Sequence, residues 1–457
     1  MLYIIKNEHR VGEIYMKKPN VIVIMTDDQG YGDLSCMGSE DFVTPHIDLL
    51  AARGARFTCM YSNSPVCSPS RAALLTGRYP GNAGVRAILA GHRRASGLMN
   101  DTPTIASALK KQGYDTACIG KWHLGLAPEC RPLSNGFDYF YGFMAGCIDY
   151  YSHIFYWDPS INPLHDLWEN NNEIYENGRY FTELISEKAV GYIREKANAD
   201  NPFMLYLGYN APHYPMHAPK KYMDRFAHLP WDRQVMAAMI SAVDDGIGEI
   251  NAELARLGIA DDTIIYYQSD NGPSRESRNW LDGTPDPYYG GSTGIFKGHK
   301  FSLFEGGIRV PGIICYPGKI AAGQVIDIPV ASMDIFPTVL KAAGGLPDEY
   351  ELDGIDIMPV LNGGTKYPHD MLFWEMDRQT AMRCGDYKLV LNGQIVESDP
   401  VVAPVFLANL ADDPSEKINL AEELPELTEK LTLIANKWRD GIEKIWEEKY
   451  MRRYKLT

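Results

Sequence analysis

Four short apolar runs, each ending abruptly in polar and chemically capable residues, constrain this chain more than any other feature of its sequence. Val21-Ile-Val-Ile-Met25 leads into Thr26-Asp27-Asp28, and Tyr114-Asp-Thr-Ala-Cys-Ile119 into Gly120-Lys121-Trp122-His123. Phe203-Met-Leu-Tyr-Leu207 is followed by Asn210-Ala211-Pro212-His213, and Thr263-Ile-Ile-Tyr-Tyr267 by Ser269-Asp270-Asn271-Gly272. Continuous apolar runs of this length suit strands buried on both faces, the condition of a parallel sheet covered by helices. Helix-like stretches lie between them, over Thr104 to Gln112, Ser186 to Lys196 and Arg233 to Leu257. The alternation predicts an α/β layered fold. In such sheets the functional crevice lies beyond the carboxyl ends of the strands, so the four polar clusters are expected to converge there.

At 457 residues the chain is too long for one ordinary core. The pattern changes near Leu346, where Pro347-Asp-Glu and Asn362-Gly-Gly-Thr make a polar connection. Short strand-like pieces follow (Met371 to Glu375, Thr380 to Cys384, Tyr387 to Leu391), then an amphipathic helix from about Pro425 to Glu448. The expected organisation is an N-terminal extension over 1–18 and an α/β domain over 19–365, its large, mixed, mostly parallel sheet covered by helices on both faces. A smaller C-terminal α+β domain with a short antiparallel sheet is expected over 366–457.

The formal net charge of −15 weighs against a nucleic-acid partner, because phosphate backbones attract basic surfaces. It leaves room for a small anion, since a local group of Lys, Arg and His can invert the field inside one cleft. No apolar run is long enough to span a bilayer, and the start of the chain lacks a cationic segment followed by a sustained apolar core. Eight cysteines are spread without metal-type Cys-x-x-Cys spacing. Several, such as Cys118 and Cys315, fall in strand-like runs where a reduced buried thiol is the plain reading. A cytoplasmic protein is the expectation, with a periplasmic or secreted one open if a leader has been removed.

The most specific stretch is Cys67-Ser68-Pro69-Ser70-Arg71-Ala72-Ala73-Leu74-Leu75-Thr76-Gly77-Arg78. Locally it is a helix start, with Ser68 suited to the N-cap, Pro69 to the first helical position and Gly77 to the stop. Cys67 then sits just before a helix N-terminus, where free N–H groups and the helix dipole favour negative charge. Arg71, one turn on, can point back to the same place. Asp27-Asp28 and Asp270-Asn271 put four oxygen-bearing side chains at the ends of two strands, a donor type that suits hard cations such as Ca²⁺ and Mg²⁺. Any one such pair more often caps a turn; two at matching strand ends favour the metal.

Cys-x-Pro-Ser-Arg followed by Ala-x-x-x-Thr-Gly-Arg resembles the signature of the type I, formylglycine-dependent sulfatases of the alkaline phosphatase superfamily, and the likeness runs from Pro19 to nearly the C-terminus. The resemblance implies that Cys67 is oxidised by a separate formylglycine-generating or anaerobic maturation enzyme to an aldehyde, whose hydrate attacks sulfur. It implies one divalent cation, Ca²⁺ favoured over Mg²⁺, on Asp27, Asp28, Asp270, Asn271 and the modified residue 67. Arg71 and Lys121 would steady the nucleophile, Lys300 and His213 would meet the sulfate and the leaving oxygen, and His123 would take a proton as sulfate is expelled. Glu305 and Arg309 are expected to hold the Lys300 loop in shape, and Lys297 to lie on the surface.

Asn135-Gly-Phe-Asp138 and Asp149-Tyr-Tyr-Ser-His153 resemble segments of sulfatases acting on glycans. The aromatic-rich stretch 137–157, which includes Trp157, could stack on sugar rings, although packing is the commoner use. His153 is carried as a substrate contact. A small sulfate ester or sulfated glycan is thus the expected substrate. Two alternatives stay open: a phosphonate monoester or phosphodiester hydrolase of the same superfamily, and a non-catalytic glycan-binding protein. The hydrolases of the first kind tend to have His where Asn271 stands and lack the Lys-Trp-His arrangement of 121–123.

Overall fold

A computed structural model describes residues 18–156, 163–275, 290–347 and 349–451. Most of the expected N-terminal extension, and Trp157, lie outside the described residues. Among the described residues the main sheet has ten strands. In chain order they are β1 (Asn20–Thr26), β2 (Ala55–Phe57), β3 (Asp115–Lys121), β4 (Tyr139–Phe143), β5 (Trp168–Glu169), β6 (Asn172–Glu173), β7 (Phe203–Gly208), β8 (Thr263–Ser269), β9 (Gly312–Cys315) and β10 (Gln324–Ile326). Their spatial order is β10-β2-β9-β8-β1-β7-β3-β4-β5-β6.

The five central strands, β8-β1-β7-β3-β4, run parallel. Antiparallel strands flank them: β9 on β8, and β5 on β4. The expected mixed, mostly parallel sheet is therefore present. Register explains why the strand ends share one level. Met25 of β1 lies opposite both Gly208 and Gln268, and Gly208 lies opposite Gly120. Asp27, Lys121, Asn210 and Asp270 thus leave the sheet at nearly the same height.

The principal helices are α1 (Pro45–Arg53), α2 (Cys67–Thr76), α3 (Ile105–Lys111), α4 (Phe181–Lys196), α5 (Trp231–Arg256) and α6 (Ile335–Ala342). They form two groups on the sheet: α1 and α4 pack on α5, while α2, α3 and α6 pack together. α4 begins five residues before the expected Ser186, because Phe181, Leu184 and Ile185 carry its buried face back to Tyr180. α2 also starts earlier than expected. The Val66 carbonyl accepts the Ser70 N–H, so Cys67 is the first helical residue, and Ser68 uses its hydroxyl to hold the Leu89 N–H at 3.2 Å instead of capping. Gly77 does end the helix, in the left-handed region at φ 67°.

The C-terminal sheet is antiparallel, with β11 (Leu372–Met376), β12 (Gln379–Cys384), β13 (Tyr387–Leu391) and β14 (Val405–Asn409) in sequential order. α7 (Pro425–Ile445) packs on it, and a π-helical turn extends α7 to Tyr450. One apolar core spans this sheet and the main body: Trp374, Met376 and Phe406 pack with Tyr61, Val66, Phe301, Leu303 and Phe304. Among the described residues no helix is long and apolar enough to cross a membrane.

α3 is secured by a reciprocal cap: the Thr104 hydroxyl accepts the Ser107 N–H at 3.1 Å, and the Ser107 hydroxyl accepts the Thr104 N–H at 2.9 Å. Thr104→Ala should lower stability by about 1–2 kcal/mol, seen as a shifted urea midpoint with unchanged slope.

Candidate active site

The loops after β1 and β8 meet through the four oxygen-bearing side chains. Asp28 takes a left-handed backbone conformation (φ 61°), and its N–H donates to Asp270 Oδ1 at 3.1 Å. Asn271 Nδ2 donates to Asp28 Oδ1 at 2.7 Å. The Asp270 carbonyl lies 2.5 Å from the hydroxyls of both Ser62 and Ser70. Ser70 belongs to the cysteine motif, so α2 is tied directly to the end of β8. Cys67, in the first turn of α2, is buried, and its sulfur lies within 4.8 Å of carboxylate oxygens from both Asp27 and Asp270.

Three cations enclose these acids. Arg71 Nη2 donates to Asp270 Oδ2 at 2.7 Å and lies 3.5 Å from Asp27 Oδ1. Lys121 Nζ sits 2.5 Å from Asp27 Oδ2, and Lys300 Nζ 3.0 Å from Asp28 Oδ2. Two histidines complete the ring. The His213 Nδ1–H donates to the Tyr214 carbonyl at 2.6 Å, because a carbonyl can only accept. That bond turns Nε2 toward Lys300 Nζ at 3.4 Å and Asp28 Oδ2 at 3.6 Å. His123 Nε2 faces the Leu89 carbonyl at 3.3 Å, while its buried Nδ1 has no hydrogen-bond partner. The ring fits only because residue 146 is glycine: a Cβ there would lie 2.8 Å from His123 Cε1.

Burial and charge set the protonation of these groups. Burial, then Lys121 and Arg71, push His123 well below the usual histidine range, so it is a neutral ring with a free lone pair. Burial raises the Cys67 thiol to about 11 despite Lys121 and Lys300. A thiol held protonated is a poor nucleophile as it stands. Burial would raise Asp28, but Lys300, His213 and Lys121 bring it down to about 2. Asp270 goes the other way, to about 7, through burial and the nearby Asp27, against Arg71 and Lys121.

This donor set fits a hard cation. Asp27 Oδ1 and Asn271 Oδ1 are buried oxygens without hydrogen-bond partners. Asp27, Cys67 and Asp270 offer ligand atoms within 4.8 Å of one another, and burial together with the neighbouring Asp27 raises Asp270, a cost that a bound cation would relieve.

The structure therefore brings together Asp27, Asp28, Cys67, Arg71, Lys121, His123, His213, Asp270, Asn271 and Lys300. His153 does not join them. It has no exposed surface, its Nε2 lies 3.2 Å from the Arg179 carbonyl, and its ring packs edge-on against Phe181. The expected substrate contact there is corrected to packing. Lys297 is also corrected: it is half-buried, not on the surface. Its Nζ lies over the rings of Phe304 and Phe406 and donates to the Glu416 carbonyl at 3.1 Å. Glu305 does brace the loop, accepting from Tyr61, Arg309 and Lys388.

Two supporting roles are not visible in the sequence. The Tyr150 hydroxyl sits between the Asn210 and His213 carbonyls at 2.8 and 2.9 Å, and the Tyr206 hydroxyl accepts from Arg71 at 3.1 Å. Tyr206 has no local signature, since a buried tyrosine in an apolar run announces only packing, and Tyr150 lies in the 149–153 segment whose resemblance gave no hint of this bridging bond.

The chain belongs to the sulfatase family, the sulfuric ester hydrolases: the sulfatase family model matches residues 19–346. It is similar to N-acetylgalactosamine-6-sulfatase of Rattus norvegicus, 34% identical over 389 residues, which are 81% of this chain and 71% of that protein. It is likewise similar to steryl-sulfatase of Homo sapiens, 34% identical over 429 residues, 78% of this chain and 72% of that one. Among solved structures, Ps i-CgsB in complex with k-i-k-neocarrahexaose matches with a TM-score of 0.81 and 31% identity, covering 96% of this chain and 99% of that chain.

A cation should stabilise the protein in a pH-dependent way. Asp270 is raised above its ordinary 3.8, so its contribution to stability is present below that value and lost as pH rises through about 7. Asp28 is depressed, and its contribution is lost only as pH falls toward about 2, outside this window. Adding Ca²⁺ to chelator-treated protein should therefore raise Tm more at about pH 8 than at about pH 5, where the ion must displace a proton. No shift at either pH would remove the cation from the site.

Proposed function

We propose that this chain hydrolyses sulfate monoesters of sulfated carbohydrates, using as nucleophile a formylglycine made from Cys67. The observation that carries the reading is the placement of Cys67 at the first turn of α2, among buried carboxylates on one side and Lys121, Arg71 and Lys300 on the other. The carbohydrate part is supported by the N-acetylgalactosamine-6-sulfatase relative and by the neocarrahexaose in the similar crystal structure. Residues 19–365 carry the chemistry in this reading, with 366–457 as the smaller unit packed against them. A formylglycine-generating or anaerobic maturation enzyme is the implied partner.

Asp27, Asp28, Asp270, Asn271 and the side chain at 67 would hold one divalent cation, Ca²⁺ favoured over Mg²⁺, which when bound polarises the sulfate and lowers the charge cost of attack. The chain's own residues do the rest. Lys121, locked on Asp27, and Arg71, locked on Asp270, fix the nucleophile's surroundings and keep them cationic. Lys300 Nζ faces the space between Asp28 and His213, where a sulfate oxygen and the ester oxygen would sit. With Nδ1–H committed to Tyr214, His213 can give a proton to the leaving oxygen only from Nε2, and Lys300 stands beside that atom to assist. His123, neutral and with a free Nδ1, is poised to accept a proton when the nucleophile is regenerated.

Removing one donor aimed at developing charge typically costs on the order of 100- to 1000-fold in rate. Lys121→Ala and His213→Ala should each lower kcat on a sulfate ester by about that factor while the protein still melts cooperatively. Cys67→Ala should abolish turnover, and the wild-type peptide bearing residue 67 should show an aldehyde mass. A panel of sulfated sugars, an aryl sulfate and a phosphonate ester tests the reaction class. Converted enzyme that cleaves only the phosphonate would overturn the proposal.

A further inference from the structure

We infer that the C-terminal antiparallel sheet positions Lys300, with Gln379 as the positioning residue; the inference rests on Lys300 meeting the sulfate ester, as proposed above. Lys300 stands in the segment 297–305, and the next residue, Phe301, holds φ at 72°, a left-handed conformation unfavourable for a bulky side chain. Such a backbone persists only where its surroundings over-determine it. Two bonds come from the main sheet's side: Lys300 N–H to the Pro273 carbonyl and Phe301 N–H to the Pro65 carbonyl, both at 3.0 Å.

Tyr61 and Arg309 hold Glu305 at the end of the segment, and a further set of ties comes from residues after 370. Gln379, at the start of β12 and buried, donates from Nε2 to the Phe301 carbonyl at 2.8 Å. Its Oε1 accepts the Gln394 N–H at 3.0 Å, and the Leu303 N–H lies 3.5 Å from it. The Ser302 hydroxyl donates to the Gln394 carbonyl at 2.6 Å, and the His299 N–H to the Ile395 carbonyl at 3.0 Å. Further along, buried Lys388 lies 2.8 Å from Glu305 and 3.1 Å from Glu416, and the Glu305 N–H donates to Glu416 Oε2 at 2.6 Å. Gln379 thus holds the carbonyl of the strained residue next to Lys300, and Lys388 clamps the far end of the same segment. The placement of Lys300 Nζ beside Asp28 and His213 depends on side chains some eighty residues later in the chain.

A double-mutant cycle on one sulfate ester tests this, with Gln379→Leu, Lys300→Ala, both together and the wild type. Gln379→Leu should lower kcat by about 10- to 100-fold with a smaller change in KM, since a displacement of about 1 Å at a reacting group costs up to that much. In the Lys300→Ala background the same substitution should cost less than about threefold, because its effect travels through a side chain no longer there. A purely structural role would weaken both backgrounds alike. Equal losses in the two backgrounds, or wild-type turnover in Gln379→Leu, would overturn the inference. If Gln379→Leu does not fold, Ser302→Ala, which loses the bond to Gln394, enters the same cycle with the same two outcomes. Absence of sulfate-ester turnover in the aldehyde-bearing wild type would instead overturn the reading beneath it, and this inference with it.

Discussion

Three buried carboxylates lie within reach of one another beyond the ends of β1 and β8, and the site depends on how their charge is neutralised. Asp27, Asp28 and Asp270 are essentially without exposed surface, a placement that costs several kcal/mol per ion unless each is paired. Arg71, Lys121 and Lys300 supply the pairing, one cation to each acid, from three separate segments of the chain. The formal balance is then close to zero, and a divalent cation held there would tip the cavity positive, the sign a sulfate monoester needs. A chain of net charge −15 thereby builds a pocket suited to an anion. Bulk charge governs the outer surface; the cavity is decided by pairing.

The parallel sheet makes this concentration of charge feasible. Its central strands end level, so loops far apart in sequence leave it side by side, and the first turn of α2 brings Cys67 into the same space. Left-handed conformations occur at Asp28, His123 and Phe301, each at or next to a residue that lines the cavity. Unfavourable backbone of this kind is retained where the surrounding bonds are dense. At Asp28 those bonds join Asp270 and Asn271, and at Phe301 the bond comes from Gln379.

The small C-terminal sheet belongs to the same design. Its inner face shares a core with Tyr61, Val66 and the segment around Phe304, and Arg383 reaches across to the Tyr61 hydroxyl that in turn bonds Glu305. Trp374 Nε1 donates to the carbonyl of Ser62 at 2.8 Å, the residue whose hydroxyl meets the Asp270 carbonyl. The cavity beyond the main sheet is thus braced from the C-terminal sheet as well.

Much of this was written in local sequence. The four apolar runs became β1, β3, β7 and β8 to within two residues at either end, because strands buried on both faces leave an unbroken apolar trace. The short strands β2, β5, β6 and β10 left none, since two or three residues carry no periodicity, and partner strands alone define them. Site residues were legible where they stood at strand ends or in the cysteine motif. Those that act through a partner were not. Nothing around Gln379 marks it as a neighbour of Phe301, and nothing around His153 says that its ring is sealed against Phe181. Residue type and strand position determined which groups could do the chemistry. Only the folded chain decided which atoms face one another, because hydrogen bonds and ion pairs over some eighty to two hundred and forty residues depend on distances that no local pattern encodes.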